Sequence, residues 1–343
     1  MSNVGLETPR SPQDAARAHE QFGRLVEPSR RPLRLHGYRM LGSFHEAEDL
    51  VQETLLRAWR GFDAFQGGSL RAWLYRIATR AALDAIQSRK AREKMWPLDS
   101  GAPTTGFPDG APAAETAWLE PYPTADLDDI ADEAPSPEAR YARRESVRLA
   151  FVAALQRLPP RQRAALLLCD VLSFSAVEAA KALDGTVASV NSALQRARET
   201  LARSPSAPPA RPDGAQSELL ARYVAAWESH DLAGFVALLK ADATFSMPPW
   251  RQWYRGRDAI RDFFEIAWTQ CHGLRLIATE ANGGPAFAVY EQGADERFTP
   301  HSLHLLEIDD ESVAELTTFL PPIGPALFAA FGLPLALDRP ASV

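Results

Sequence analysis

One helical register runs through AEDLVQETLLRAW, residues 47–59, and it constrains everything around it. Ala47, Leu50, Val51, Leu55, Ala58 and Trp59 recur at three- and four-residue spacing, which predicts an amphipathic helix with one buried face. Glu46, Asp49, Gln52 and Glu53 lie outside that stripe, so the opposite face is acidic. A second helical stretch follows much later, from LPPRQRAALLLCDV to VNSALQRARETL, between Leu158 and Leu201.

Between the two stretches the composition changes abruptly. Residues 96–139 contain no Lys or Arg and carry a net charge of −10, flanked by blocks of +5 over residues 1–95 and +6 over 140–203; residues 204–343 carry −8. Basic helical blocks suit contact with nucleic-acid phosphate, and the acidic stretch cannot contribute to it. Rich in Pro, Gly, Ala and Asp, that stretch reads as a linker with one sticky patch, Trp118-Leu119-Glu120-Pro121-Tyr122-Pro123.

The first module, residues 14–94, reads as helical throughout. After residue 59 the segment GFDAFQGGS reads as a loop, with Ser69 as an N-cap for a helix whose apolar stripe is Leu70, Trp73, Leu74, Ile77, Ala78 and Ala81. Arg71, Arg76 and Arg80 are left for solvent or phosphate. Trp73 by its position belongs to the core.

The second module, residues 139–203, holds SAVEAAKAL, the turn Asp184-Gly185-Thr186, and VASVNSALQRARETL: two short helices around a Gly-containing turn, a helix-turn-helix pattern. Ser175 and Thr186 are expected N-caps, and Val187, Val190, Leu194 and Ala197 are expected to face inward. This exposes Ser189, Asn191, Ser192, Gln195, Arg196 and Arg198, residue types suited to base edges and phosphates.

After the linker 204–215 the chain changes character. Helical patterns at SELLARYVAAW, around Leu232–Leu239 and at YRGRDAIRDFFEIAW precede strand-like runs ATFSM, LRLIATEA, PAFAVYEQ, SLHLLEI and VAELTTFL, joined by a Gly-Gly turn and Asp-rich turns. The fold class expected is multidomain: two all-α modules followed by an α+β unit over 216–337 with three helices against a curved sheet. Trp227, Trp250, Trp253, Tyr254, His272, His301 and His304 are pocket candidates. His230-Asp231 is expected in the turn between two helices, and His301 and His304, three apart in a strand, are expected on opposite faces. The terminal PPIGPALFAAFGLP either contacts the helical modules or caps the sheet's own core.

Taken together, AEDLVQETLLRAW and LPPRQRAALLLCDV…VNSALQRARETL resemble regions 2 and 4 of the extracytoplasmic-function sigma factors, small relatives of sigma-70, and the last unit resembles the SnoaL-like cone fold. The resemblance implies a factor that binds core RNA polymerase, with Asp49, Gln52 and Glu53 docking on the clamp helices of the largest subunit. It implies recognition of the −10 element by the loop and helix carrying Phe62, Phe65, Arg71, Arg76 and Arg80, and of the −35 element by the residues from Ser189 to Arg198. The sequence departs from the family at Arg80 and Ala82, where members commonly carry Asn and Cys. It further implies a regulatory SnoaL-like unit with a pocket for a small-molecule ligand and no cofactor; that fold hosts enzymes as well as binding modules, and because His230-Asp231 and His301/His304 show no converging dyad, a binding or structural role rather than catalysis is expected.

Two other classes fit parts of the sequence. A ligand-responsive regulator using only the helix-turn-helix leaves residues 47–59 unexplained. An enzyme of the cone fold would need an acid/base dyad converging on the pocket. Cys169 and Cys271 stand far apart with no metal-ligand spacing. The N-terminal residues lack the apolar core of a signal peptide, and the apolar run near residues 324–337 is too short to span a bilayer, so a cytoplasmic protein without membrane contact is expected.

Overall fold

The computed structural model describes residues 12–65, 67–88, 95–96, 98, 100–108, 110–112, 117–131, 147–202 and 214–337. The chain divides into two compact units: one of Met1–Lys94, Glu120–Tyr122 and Asp126–Ser206, the other of Met95–Leu119, Pro123–Ala125 and Ala207–Val343. The limits read from the sequence at 94, 138–139 and 203, and most of the linker 204–215, lie outside the described residues.

The first unit is helical. It contains α1 (Pro12–Val26), α2 (Arg30–Leu41), α3 (Phe44–Arg60) and α4 (Leu70–Ser88). Then come α5 (Thr124–Ala131), which belongs to this unit from Asp126 on, α6 (Leu149–Gln156), α7 (Pro160–Leu166) with a wider turn over Leu167–Val171, α8 (Ala176–Ala182) and α9 (Val187–Leu201). The stripe at residues 47–58 is buried as its period requires. Gly37 of α2 lets the α2 and α3 backbones approach, since a Cβ there would sit 2.9 Å from Leu50 and 3.2 Å from Ala47. Gly42, at φ 70°, ends α2 in the left-handed conformation that glycine adopts at no steric cost.

One continuous core runs from Phe22 and Leu50 through Leu74 to Leu166, Val190 and Ala197, so the helices of both basic modules share it. Each buried leucine contributes about 1.5–3 kcal/mol. Two buried polar side chains cross-link the helices. His36 meets Thr79 Oγ1 at 3.0 Å, and burial, with the nearby Arg39, holds its pKa down at about 3. Buried Arg163 donates to the carbonyls of Met40, Gln156 and Leu158, tying α7 to α2 and α6.

The second unit contains α10 (Gly214–Glu228), α11 (Leu232–Ala237), β1 (Leu239–Ser246), β2 (Trp253–Arg255) and α12 (Arg257–Ala267). It continues with β3 (Leu274–Ala281), β4 (Gly284–Gln292), β5 (Phe298–Asp309), β6 (Ser312–Phe319) and α13 (Ile323–Leu327). The six strands lie in the order β2-β1-β6-β5-β4-β3, with β1 and β6 parallel and the other pairs antiparallel. The β3–β4 turn uses Asn282 and Gly283, both at positive φ, rather than the Gly-Gly pair. Asp231 caps α11 by accepting from Gly234 N at 2.9 Å, so His230-Asp231 is turn chemistry as expected. Tyr223, Trp227, Phe235, Phe245, Phe264 and Trp268 fill the space between the helices and the sheet.

Two segments pack on this unit, the C-terminal one in one of the two places expected for it and the connecting stretch as a docked loop rather than a plain linker. The C-terminal segment caps the sheet itself: Phe328 is fully buried with its ring 5.1 Å from Tyr290, and Tyr290 donates to Pro334 O at 2.9 Å. The stretch expected as a linker forms a loop closed by a bridge between Met95 and Trp118. Its tip is anchored by Thr104 N to Trp253 O at 2.7 Å, Trp253 Nε1 to Gly101 O at 3.0 Å and Tyr254 OH to Gly106 O at 3.1 Å, while Phe107 stacks on Phe263 at 5.3 Å. Among the described residues no helix is long and apolar enough to cross a membrane, and no group of three or more His, Cys, Asp or Glu could hold a metal ion.

Candidate nucleic-acid interface

The outer face of α3 presents Asp49 and Gln52, both exposed, and Glu53, half-exposed. Leu56, 52% exposed, lies on the same side one turn on, an apolar surface outside the buried stripe. Arg57 donates to Glu53 at 2.7 Å and to Asp84 of α4 at 3.1 Å, which fixes the Glu53 carboxylate against the fold. At the other end of α3, Ser43 caps the helix by accepting from Glu46 N. The Glu120 carboxylate sits beside that cap, receiving Ser43 Oγ at 2.8 Å, His45 N at 3.3 Å and His45 Nδ1 at 3.1 Å. Burial alone would raise the Glu120 pKa, but the hydrogen bonds from His45 and Ser43 hold it below the usual value. A negative charge at a helix N-terminus is also favoured by the exposed N–H groups there.

The loop before α4 separates its two phenylalanines. Phe62, expected as a base-contacting residue, is 7% exposed and packs edge-on against Phe22 at 5.1 Å, so it serves the core. Phe65 is half-buried with its ring 4.9 Å from Trp73, leaving this pair as the aromatic surface of the loop. The three arginines of α4 also differ. Arg71 donates to Leu172 O at 2.9 Å with its guanidinium 4.7 Å from the Phe174 ring. Arg80 donates to Ala182 O at 3.2 Å and Lys181 O at 3.0 Å and pairs with Asp184, neutralising the carbonyl end of α8. Arg76 is half-buried and makes no hydrogen bond or ion pair with a described residue.

Both helices of the helix-turn-helix begin in capping boxes, Ser175 with Glu178 and Thr186 with Ser189. The left-handed residue of the turn is Asp184, at φ 48°, and not Gly185. Val190 and Ala197 are buried and Leu194 is half-buried, but Val187 is 40% exposed rather than inward. Ser189 is spent on the cap, Gln195 donates to Glu199 at 3.0 Å, and Arg198 forms a two-point pair with Asp170 at 2.9 and 2.7 Å. Asn191, Ser192 and Arg196 remain exposed, with no side-chain partner among the described residues.

In the sheet unit the pocket candidates do not converge as a set. Trp227 is buried beside His304, ring to ring 4.5 Å; Trp253 and Tyr254 point to the 101–106 loop tip; Trp250 is half-buried; the His272 side chain is 79% exposed near Glu291. A β-bulge at His301 overturns the opposite-face expectation, because it makes His301 and Ser302 share one pairing position. Tyr223 OH, His304, Ser302 and His301 then form a hydrogen-bonded series with steps of 2.9, 3.2 and 3.1 Å. Burial, and secondarily His301, holds the His304 pKa down at about 3, so its imidazole is neutral. The indole N–H groups of Trp227 and Trp268 and the Thr318 hydroxyl are buried without a partner.

Comparison with known proteins agrees with this layout. Residues 25–92 match the Sigma-70 region 2 family, residues 148–201 the Sigma-70 region 4 family and residues 220–316 the SnoaL-like domain. The chain is 44% identical over 344 residues to the ECF RNA polymerase sigma factor SigG of Mycobacterium tuberculosis, covering 96% of this chain and 87% of that one. It is 31% identical over 220 residues to SigJ of the same species, covering 64% of this chain and 62% of that one. The crystal structure of Mycobacterium tuberculosis SigJ superposes with a TM-score of 0.56 at 26% identity, over 90% of this chain and 98% of that one. The chain therefore belongs to the ECF RNA polymerase sigma factors, and carries a SnoaL-like domain after its two sigma regions.

Proposed function

We propose that this protein binds core RNA polymerase through the outer face of α3, with Asp49, Gln52 and Glu53 meeting the basic groups of the largest-subunit clamp helices. Of the side chains expected to meet DNA, those left without an intramolecular hydrogen bond or ion pair then make the contacts: Phe65 and Arg76 with the −10 element, and Asn191, Ser192 and Arg196 with the −35 element. Functional limits at 14–94, 139–203 and 216–337 accompany this reading. The observation that carries it is the α3 surface: an exposed face of acids, an amide and Leu56 on a helix whose other face is fully packed. Ion pairs at an interface rim contribute to steering and register, and the exposed leucine supplies apolar area at its centre.

Asp49→Lys combined with Glu53→Lys is expected to abolish core binding in a pull-down while the circular dichroism spectrum stays unchanged. Unaltered capture of core polymerase would refute the assignment. The SnoaL-like domain, in this reading, modulates the sigma regions in response to a small apolar molecule with hydrogen-bond acceptors. Support comes from the partnerless donors on Trp227 and Trp268, since a buried donor without an acceptor costs about 1–3 kcal/mol.

A further inference from the structure

We infer that the first two turns of α9 read an A·T step: the Asn191 carboxamide takes an adenine edge, and Val187 meets the methyl group of a neighbouring thymine. This rests on the proposal that α9 is the −35 reader, and narrows it to a base class and two side chains.

Few side chains of α9 are available to a base. Ser189 cannot reach a base without opening its capping box, since its hydroxyl donates to Thr186 O at 2.7 Å and accepts from Thr186 N at 3.0 Å. Gln195 and Arg198 are held by Glu199 and Asp170. In the helix-turn-helix geometry the N-terminal residues of the second helix meet base edges, while later residues approach the backbone. Between Thr186 and Gln195 the sequence contains no Lys or Arg, so the usual guanine reader is missing from that end. Asn191 is the group there that offers a donor and an acceptor in one plane, and it makes no hydrogen bond to any described residue. That pair matches adenine, which presents an N7 acceptor beside an N6 donor, and mismatches guanine, which presents two acceptors.

Val187 supports the same reading from a separate observation. It is 40% exposed at the first position of α9, where packing gives it no role. Val187 and Asn191 are four residues apart and share a face, so both point toward the same stretch of groove. Thymine is the natural base of DNA with a methyl group in the major groove, and an apolar side chain is its match.

The test uses full-length protein with core polymerase, transcribing a promoter library randomised across the −35 element. The native protein is expected to enrich adenine at one position by about tenfold or more over guanine. Asn191→Ala should flatten that position alone, and Asn191→Gln should not restore it fully, the longer side chain being out of register. Replacing thymine by deoxyuridine next to that position should weaken transcription a few-fold with native protein and leave Val187→Ala unaffected. A uniform loss at all sequences in Asn191→Ala would make it a backbone contact and overturn the inference, as would an unchanged profile. If the native protein shows no −35 preference at all, the assignment of α9 as reader fails first, which is a distinguishable result.

Discussion

Glu120 shows how a residue in a connecting stretch becomes part of a folded helix terminus. Its carboxylate holds the first turn of α3 through Ser43 and His45, with its side chain only 19% exposed. Hydrogen bonds to a charged group contribute about 1.5–3 kcal/mol, so Glu120→Gln is expected to cost about 1–2 kcal/mol in urea denaturation at pH 7. The sign of the pH dependence follows from the direction of the shift. Because the folded-state pKa lies below the ordinary carboxyl value, the stabilisation is complete above that ordinary value and is lost as pH falls through the folded one. Native protein and variant should therefore converge in stability under acid and diverge at neutral pH. A constant difference across that range would place the effect in packing rather than charge.

At the scale of elements, the contact between α4 and α8 combines two unlike interactions, and magnitude separates them. The Arg80–Asp184 pair is solvent-exposed on both sides, 40% and 68%, and such pairs contribute about 0–1 kcal/mol. Phe174, 9% exposed, is gripped by the Tyr75 ring at 5.6 Å and the Arg71 guanidinium at 4.7 Å. Phe174→Ala is expected to cost about 3 kcal/mol, as truncating a buried aromatic does, whereas Asp184→Ala should stay within about 1 kcal/mol. Hydrogen exchange at α8 would read the difference; equal protection in the two variants would contradict it. What was legible here in the sequence followed from local rules. The α3 stripe obeys the 3.6-residue period, and the helix-turn-helix announces itself through Ser175 and Thr186 with partners three residues on. What escaped depends on partners far along the chain. Arg71 and Arg80 look free for phosphate until carbonyls about a hundred residues away accept hydrogen bonds from them. Phe62 looks like a loop aromatic until Phe22 closes over it, and the bulge that unites His301 with Ser302 is set by the register of β4.

For the whole molecule, the connecting stretch matters most, because its residues are divided between the two units. Met95–Leu119 folds with the sheet unit, Glu120–Tyr122 with the helical unit and Pro123–Ala125 with the sheet unit again. The chain between the two sigma regions is thus shortened by the docking of Gly101–Phe107 on β2 and α12. Removing residues 207–343 would take away that docking surface, and an acidic Pro/Gly-rich stretch without one behaves as a flexible spacer whose reach grows with the square root of its length. Longer effective tethers lower the effective concentration of the second sigma region once the first is bound. The helical unit keeps its own continuous core after such a truncation, so it should still fold. Truncation after Arg203 is therefore expected to change promoter-specific transcription at equal protein level. Phe107→Ala with Tyr254→Phe, which loosens only the docked loop, should move transcription part of the way in the same direction. Equal transcription by all three proteins across a range of salt concentrations would show that the SnoaL-like domain does not regulate the sigma regions.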